Sequence, residues 1–220
     1  MGVESDEGTV AFTRALAALK REGSNVLVTG AGAETAHGEA CVRLMGDSVD
    51  DRRRAVVTTE RGGCVPDRFL DGDAPTVRYE TATRSAAVAP SGTGDLPAAS
   101  DRVRDLAALG DAVAGLVDDA ERAAGGLAPA QFRLCVDSLR PLVEEYDERE
   151  LFRFLHAVTA DVRAARGMAH YHLPLGYDAE TARTLAPLFD AVVEVRDGDS
   201  GPRQRWHLDD AGVGTEWLPL

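Results

Sequence analysis

The 220-residue chain predicts a three-layer α/β fold built on a mainly parallel sheet. Two observations carry that expectation. Short, nearly continuous apolar runs at 25–29 (NVLVT), 55–59 (AVVTT), 132–136 (FRLCV) and 168–173 (MAHYHL) have the character of strands covered on both faces. Between them lie segments of helical periodicity, the rhythm that gives crossover connections and parallel pairing. The runs at 191–195 (AVVEV) and 204–208 (QRWHL) flank DGDSGP, which predicts a C-terminal antiparallel pair. No internal repeat is present, and 1–220 is expected to form a single domain.

Each element follows from local pattern. Phe12, Leu16 and Leu19 fall at helical spacing, and Glu22-Gly23-Ser24 supplies a stop, so 1–23 is expected to carry an N-terminal helix. After the first strand come Gly30, Ala31 and Gly32, then a helix over 38–44. The second strand ends at Glu60 and is broken by Arg61-Gly62-Gly63. Minor strands are expected at 76–80 and 85–89, followed by a flexible loop at 89–100 (APSGTGDLPAAS at its core). Ser100 is a good N-cap for a helix over 101–123, with Val103, Leu106, Leu109, Val113, Leu116 and Val117 inward. Leu151, Leu155, Val158 and Val162 mark a helix over 148–165, and 179–189 marks another.

Composition narrows the setting. There are 37 acidic against 24 basic residues, a net charge of -13, and Lys20 is the only lysine. This lysine-poor, carboxylate-rich balance resembles that of haloarchaeal cytoplasmic proteins, whose surfaces stay solvated where the Debye length falls to about 3 Å at 1 M salt. It argues against a general nucleic-acid surface. No apolar run is long enough for a membrane span. The N-terminus has neither the basic start nor the apolar stretch of a secretory signal, so a cytoplasmic location is expected. Cys41, Cys64 and Cys135 are odd in number and lack CxxC or CxxH partners; they read as buried small residues, and neither a disulfide framework nor a zinc site is expected.

The strand–glycine turn–helix at 25–44, the strand ending Asp137-Ser138, the helix RELFRFLHAVTADVR and the ending LAPLFDAVVEVRD…TEWLPL together resemble the RecA/KaiC branch of P-loop ATPases, in particular the small KaiC-like proteins of haloarchaea. The resemblance covers about four-fifths of the chain. It implies a sheet order of 5-1-4-3-2, a phosphate loop after 25–29, a magnesium-site aspartate at Asp137 and a water-activating carboxylate at Glu60. It also implies edge-to-edge association of subunits.

The phosphate loop departs from that family. G-x-x-x-x-G-K-[ST] needs glycines for backbone amides to wrap the phosphates, lysine to reach their oxygens and Ser/Thr to hold magnesium. Counted from Gly30, the last three places hold Thr35, Ala36 and His37. A shifted register that keeps Gly38 as the second glycine puts Glu39 where lysine belongs. Two like charges 4 Å apart at an effective dielectric constant near 20 cost on the order of 4 kcal/mol. ATP hydrolysis is therefore not expected, and no cofactor is assigned. Weak ligand-binding candidates are Gly30, Gly32, Thr35, His37, Gly38 and Ser138, and Glu60 and Asp137 are vestigial catalytic candidates.

The remaining candidates are read in structural terms. Asp137 is expected to cap the turn after its strand, Glu60 to be solvated and His37 to sit exposed in the loop. His170 and His172 alternate with Tyr171 and share one face of their strand. A metal site with Asp137 lacks a third ligand, so both histidines are expected to be satisfied in the core, and no metal is assigned. Ser138 has no G-x-S-x-G elbow. Arg52, Arg53 and Arg54, beside Asp47, Asp50 and Asp51, are expected to form surface ion pairs. The expectation is a non-catalytic regulatory or scaffolding module acting through protein partners or self-association, with the N-terminal helix and the WLPL tail as contact elements; a nucleotide-binding sensor or ATPase with an atypical loop is the alternative.

Overall fold

The computed structural model describes residues 3–46, 51–59, 63–70, 74–81, 102–208 and 211–220. Its strands are β1 (Ser24–Thr29), β2 (Arg53–Thr58), β3 (Thr76–Tyr79), β4 (Arg102–Val103), β5 (Phe132–Val136), β6 (Met168–Leu173), β7 (Ala191–Arg196), β8 (Arg203–Leu208), β9 (Val213–Gly214) and β10 (Leu218–Pro219). They form one sheet in the order β10-β8-β7-β1-β6-β5-β2-β3-β4, with β9 also paired to β8. From β7 to β4 every pairing is parallel, whereas β8 runs antiparallel to β7, β9 and β10. The expected α/β class, the mainly parallel sheet and the C-terminal antiparallel pair are all present.

The order 5-1-4-3-2 is not the order of this sheet. Short strands β3 and β4 extend it beyond β2, and β8 to β10 extend it beyond β7, so it is wider than a five-strand count allows. The expected strand at 85–89, the loop at 89–100, the Ser100 cap and Glu60 lie outside the described residues.

The helices are α1 (Val3–Glu22), α2 (Glu34–Met45), α3 (Leu106–Ala124), α4 (Arg140–Glu145), α5 (Glu148–Ala164) and α6 (Glu180–Leu185). α3 begins later than expected because Asp105, whose carboxylate accepts the Ala108 amide at 2.8 Å, is its cap, while Arg102 and Val103 are paired in the sheet. Asp147 and Glu150 close a capping box on α5. The expected helix over 179–189 stops at Leu185 and continues as a 3-10 turn over Ala186–Leu188 containing Pro187, which has no amide to continue the α pattern.

Strand alternation divides the core. Leu27, Leu134, Val136, Ala169, Tyr171 and Leu173 pack with Leu109 and Val113 of α3, Leu151, Leu155 and Val158 of α5 and Leu185 of α6. On the other face, Val26, Val28, Val193 and Val195 pack with Ala36 and Ala40 of α2, bordered by Phe12, Leu19, Trp206 and Leu220. Cys41 and Met45 of α2 meet Val56, Phe69 and Cys135 in the same layer. Both terminal segments therefore make contacts within the chain. Phe12 lies edge-on to Trp206, and the Arg196 guanidinium stacks 3.9 Å from the Trp217 ring centre. Leu218 pairs with Gln204.

Across the sheet, Asn25 ties the strands to α5. Its side-chain amide donates to the Thr159 carbonyl at 3.0 Å, its own carbonyl oxygen accepts the Tyr171 hydroxyl at 3.0 Å, and its backbone amide donates to Asp190 at 2.7 Å. Burial pushes the Tyr171 phenol far above its ordinary range, so it stays a donor.

Candidate functional site

In an open parallel sheet the chemistry sits at the carboxyl ends of the strands, here where β1 runs through Gly30 into α2. Gly30 is buried and bound by its amide to the Leu175 carbonyl at 2.8 Å. A Cβ there would lie 2.4 Å from the Val195 carbonyl oxygen, so glycine is demanded by the approach of β7. Gly32, at φ +62, supplies the left-handed turn, and α2 starts at Glu34 without a side-chain cap from Ala33.

The free amides at that helix start meet a carboxylate from the far end of β7. The Ala36 amide donates to Asp197 at 2.8 Å and the Thr35 amide donates to it at 3.3 Å. A helix N-terminus attracts an anion through its unpaired N–H groups and the helix dipole. In this chain Asp197 is that anion.

His37, on the first turn of α2, is buried, not exposed as expected. Its Nε2 lies 2.9 Å from the Gly30 carbonyl oxygen and its Nδ1 lies 2.8 Å from Nδ1 of His172. The Gly30 oxygen can only accept, so His37 Nε2 carries the proton and its Nδ1 accepts from His172. Neutral His172 is then left with a bare lone pair on Nε2. Burial lowers the pKa of His37, against its bond to Gly30, and burial pushes His172 down to about 3, so both rings are neutral.

Below this pair, His170 and His172 on β6 point to the α2 face, as strand alternation requires, and Cys135 stands beside His170 in the parallel register of β5 and β6. Cys41 comes down from α2, one helical turn after His37. Cys41 and Cys135 are both buried, with their sulfurs 3.5 Å apart. One ligand atom from each of Cys41, Cys135, His170 and His172 lies within 4.8 Å of all the others. The hydrogen bond with the Cys135 thiol holds Cys41 well below the ordinary thiol range. Burial, followed by hydrogen bonding to Cys41, pushes Cys135 up. Nε2 of both His170 and His172 has no hydrogen-bond partner.

The histidines are buried as expected, but Nε2 of each lacks the expected partner. Cys41 and Cys135 are buried as expected and lie beside that pair, whereas Cys64 is only half-buried. Sequence spacing hid this because the four residues arrive from three elements. The usable signals were the i, i+4 pair His37/Cys41 on a helix and the i, i+2 pair His170/His172 on a strand.

Asp137 is buried, and its carboxylate bonds to Thr59 just past the end of the neighbouring strand β2. One carboxylate oxygen accepts the Thr59 amide at 2.7 Å and lies 2.9 Å from the Thr59 hydroxyl, which is also 2.6 Å from the Ser138 carbonyl oxygen. The Ser138 hydroxyl accepts the Arg140 amide at 3.2 Å, capping the turn into α4. Cys64 donates to the Asp137 carbonyl at 3.4 Å. Thr35 and Gly32 are exposed and Gly38 is half-buried. A cavity of about 470 Å³ lies elsewhere, at the amino end of β7 between Tyr177, Arg183, Asp190 and His207.

The arginine triplet makes one of the expected surface pairs and also bonds to the end of α2; Asp47 and Asp50 lie outside the described residues. Arg53 pairs with Asp51 at 3.7 Å, but Arg52 and Arg54 reach the Met45 carbonyl at 3.5 and 3.3 Å, and Arg54 also reaches Gly46. Buried Arg133 adds a bond to Leu44 at 3.1 Å. These cations cap the carbonyl end of α2. The same helix thus has a carboxylate at its N-terminus and guanidinium groups at its C-terminus.

Fold and site define an α/β protein with a mainly parallel sheet whose loop after β1 is closed by the chain's own carboxylate. The family model described as "Family of unknown function (DUF7504)" matches residues 23–195, and the chain belongs to that family. No curated protein matches it. Among the described residues no helix is long and apolar enough to cross a membrane.

Proposed function

We propose that this protein is a non-catalytic module of RecA/KaiC type that serves regulation or assembly through protein contacts in a salt-rich cytoplasm. The observation that carries the reading is Asp197, bonded to the Thr35 and Ala36 amides where a nucleotide phosphate would have to sit. A phosphate would displace a covalently tethered carboxylate and meet no lysine on arrival, since Lys20 lies on α1. Support for the RecA-type scaffold comes from the central run β7-β1-β6-β5-β2. With edge strands β3 and β4 set aside, it reads fifth, first, fourth, third, second in chain order.

Thermal unfolding with and without millimolar Mg-ATP tests the loss of nucleotide binding. Ligand at a hundred times its dissociation constant stabilises a fold by about 2.7 kcal/mol, so an unchanged midpoint is expected and a clear upward shift overturns the reading. Light scattering in molar salt, with affinity capture from native lysate, tests the contact role. A strictly monomeric chain that recovers no partner counts against it.

A further inference from the structure

We propose that Cys41, Cys135, His170 and His172 bind one tetrahedral divalent metal ion of the zinc class, clamping α2 onto β5 and β6. This goes beyond the phosphate-loop reading and does not rest on it.

The first support is geometric. Zinc takes thiolate sulfur at about 2.3 Å, which places two sulfurs of a tetrahedral site about 3.8 Å apart. Cys41 and Cys135 stand at 3.5 Å, and one ligand atom from each of the four residues lies within 4.8 Å of the others, near the spacing of a tetrahedral shell. A disulfide would need its sulfurs near 2.05 Å, and these cysteines are free.

The second support is the orphaned nitrogen. A buried imidazole nitrogen without a partner is destabilising, and native cores leave few such groups. Here two occur on adjacent side chains of one strand face, Nε2 of His170 and of His172, in the layer that holds both thiols. His172 is also held in the tautomer a ligand needs. Its Nδ1–H donates to His37, whose Nε2–H donates to Gly30, leaving Nε2 as the donor atom. Metal-bound histidines are oriented by such outer hydrogen bonds. His37 is thus a positioning residue.

The third support is charge balance. Two thiolates and two neutral imidazoles around a divalent ion leave no net charge in a buried site, and the thiol protons are released to solvent on binding. With every position filled by protein the site is closed, which suits a structural role rather than hydrolysis; mixed sulfur and nitrogen donors in a tetrahedron favour zinc over magnesium or calcium.

The test uses the full chain, reduced, stripped with a chelator and titrated with Co(II) in molar salt. One equivalent should bind, with thiolate-to-cobalt charge-transfer absorption and the intense visible bands of tetrahedral cobalt, and Zn(II) should displace it. Cys135→Ser and His170→Gln should abolish those bands. His37→Phe should weaken binding about tenfold while keeping the spectrum, and Cys64→Ser should leave both unchanged. The wild-type titration decides the matter even where a variant misfolds. No stoichiometric cobalt, a weak octahedral spectrum, a Cys41–Cys135 disulfide in anaerobically purified protein, or bands lost with Cys64 but kept without Cys135 would each overturn the proposal.

Discussion

The carboxylate of Asp197 lies 2.8 Å from the Ala36 amide nitrogen, so a residue at the end of β7 caps a helix that begins more than 160 positions earlier. Ala33, the residue at the cap position, offers no acceptor side chain, which leaves the task to Asp197. Replacing it with alanine should cost about 1 kcal/mol, as loss of an N-cap usually does, with a smaller loss in molar salt where the dipole is screened. Urea unfolding of wild type and Asp197→Ala at two salt concentrations reads both effects. If the carboxylate is what excludes anions, the variant alone should gain stability from added phosphate.

The two glycines of this loop should respond unequally. Gly30→Ala places a methyl group 2.4 Å from the Val195 carbonyl, a backbone atom of a central strand that has no room to retreat, and should cost about 3 kcal/mol. Gly32 has open space around it and a φ of +62, so Gly32→Ala pays only the left-handed conformation, about 1 kcal/mol. Denaturant midpoints of the pair separate crowding from conformational strain; equal losses would mean that β7 yields at Gly30.

The contrast between these positions also explains what could be read from the sequence. β5 and β6 were legible to the residue because buried parallel strands are continuous apolar runs bounded by clear breaks. The two-residue strands β4, β9 and β10 carry no periodicity and exist only through their neighbours. In the sequence Asp197 is only the first residue of the turn DGDSGP, since its role depends on β7 lying beside β1. The cysteine and histidine cluster was half visible: strand alternation put His170 and His172 together, but only the adjacency of β5 and β6 and the docking of α2 add Cys135 and Cys41. Local rules identify pairs within one element, whereas sites assembled from three elements need the topology first.

Asn25 and Tyr171 supply a test within the larger core layer. Tyr171→Phe keeps the ring against Phe189 but deprives the buried Asn25 carbonyl oxygen of its donor at 3.0 Å. Leaving that acceptor unpaired should cost about 1–3 kcal/mol. Asn25→Ala in addition frees the Thr159 carbonyl, so the cycle formed by the two single variants and the double variant should show coupling. Strict additivity in chemical denaturation would mean that the hydroxyl and the amide do not act as one network.

Net charge gives the last expectation. With 37 acidic and 24 basic side chains, like-charge repulsion opposes the compact state, and its range shrinks from about 10 Å at 0.1 M salt to about 3 Å at 1 M. Repulsion across the surface is therefore screened, while short, partly buried pairs such as Glu194 with Arg205 at 2.6 Å are weakened far less. Stability should rise between 0.1 and 2 M potassium chloride and then level off as the screening length falls below the spacing of neighbouring carboxylates. Guanidinium is itself a salt and would mask this, so urea is the denaturant to use. A midpoint that falls with added salt would mean that attractive surface pairs outweigh repulsion despite the charge of -13.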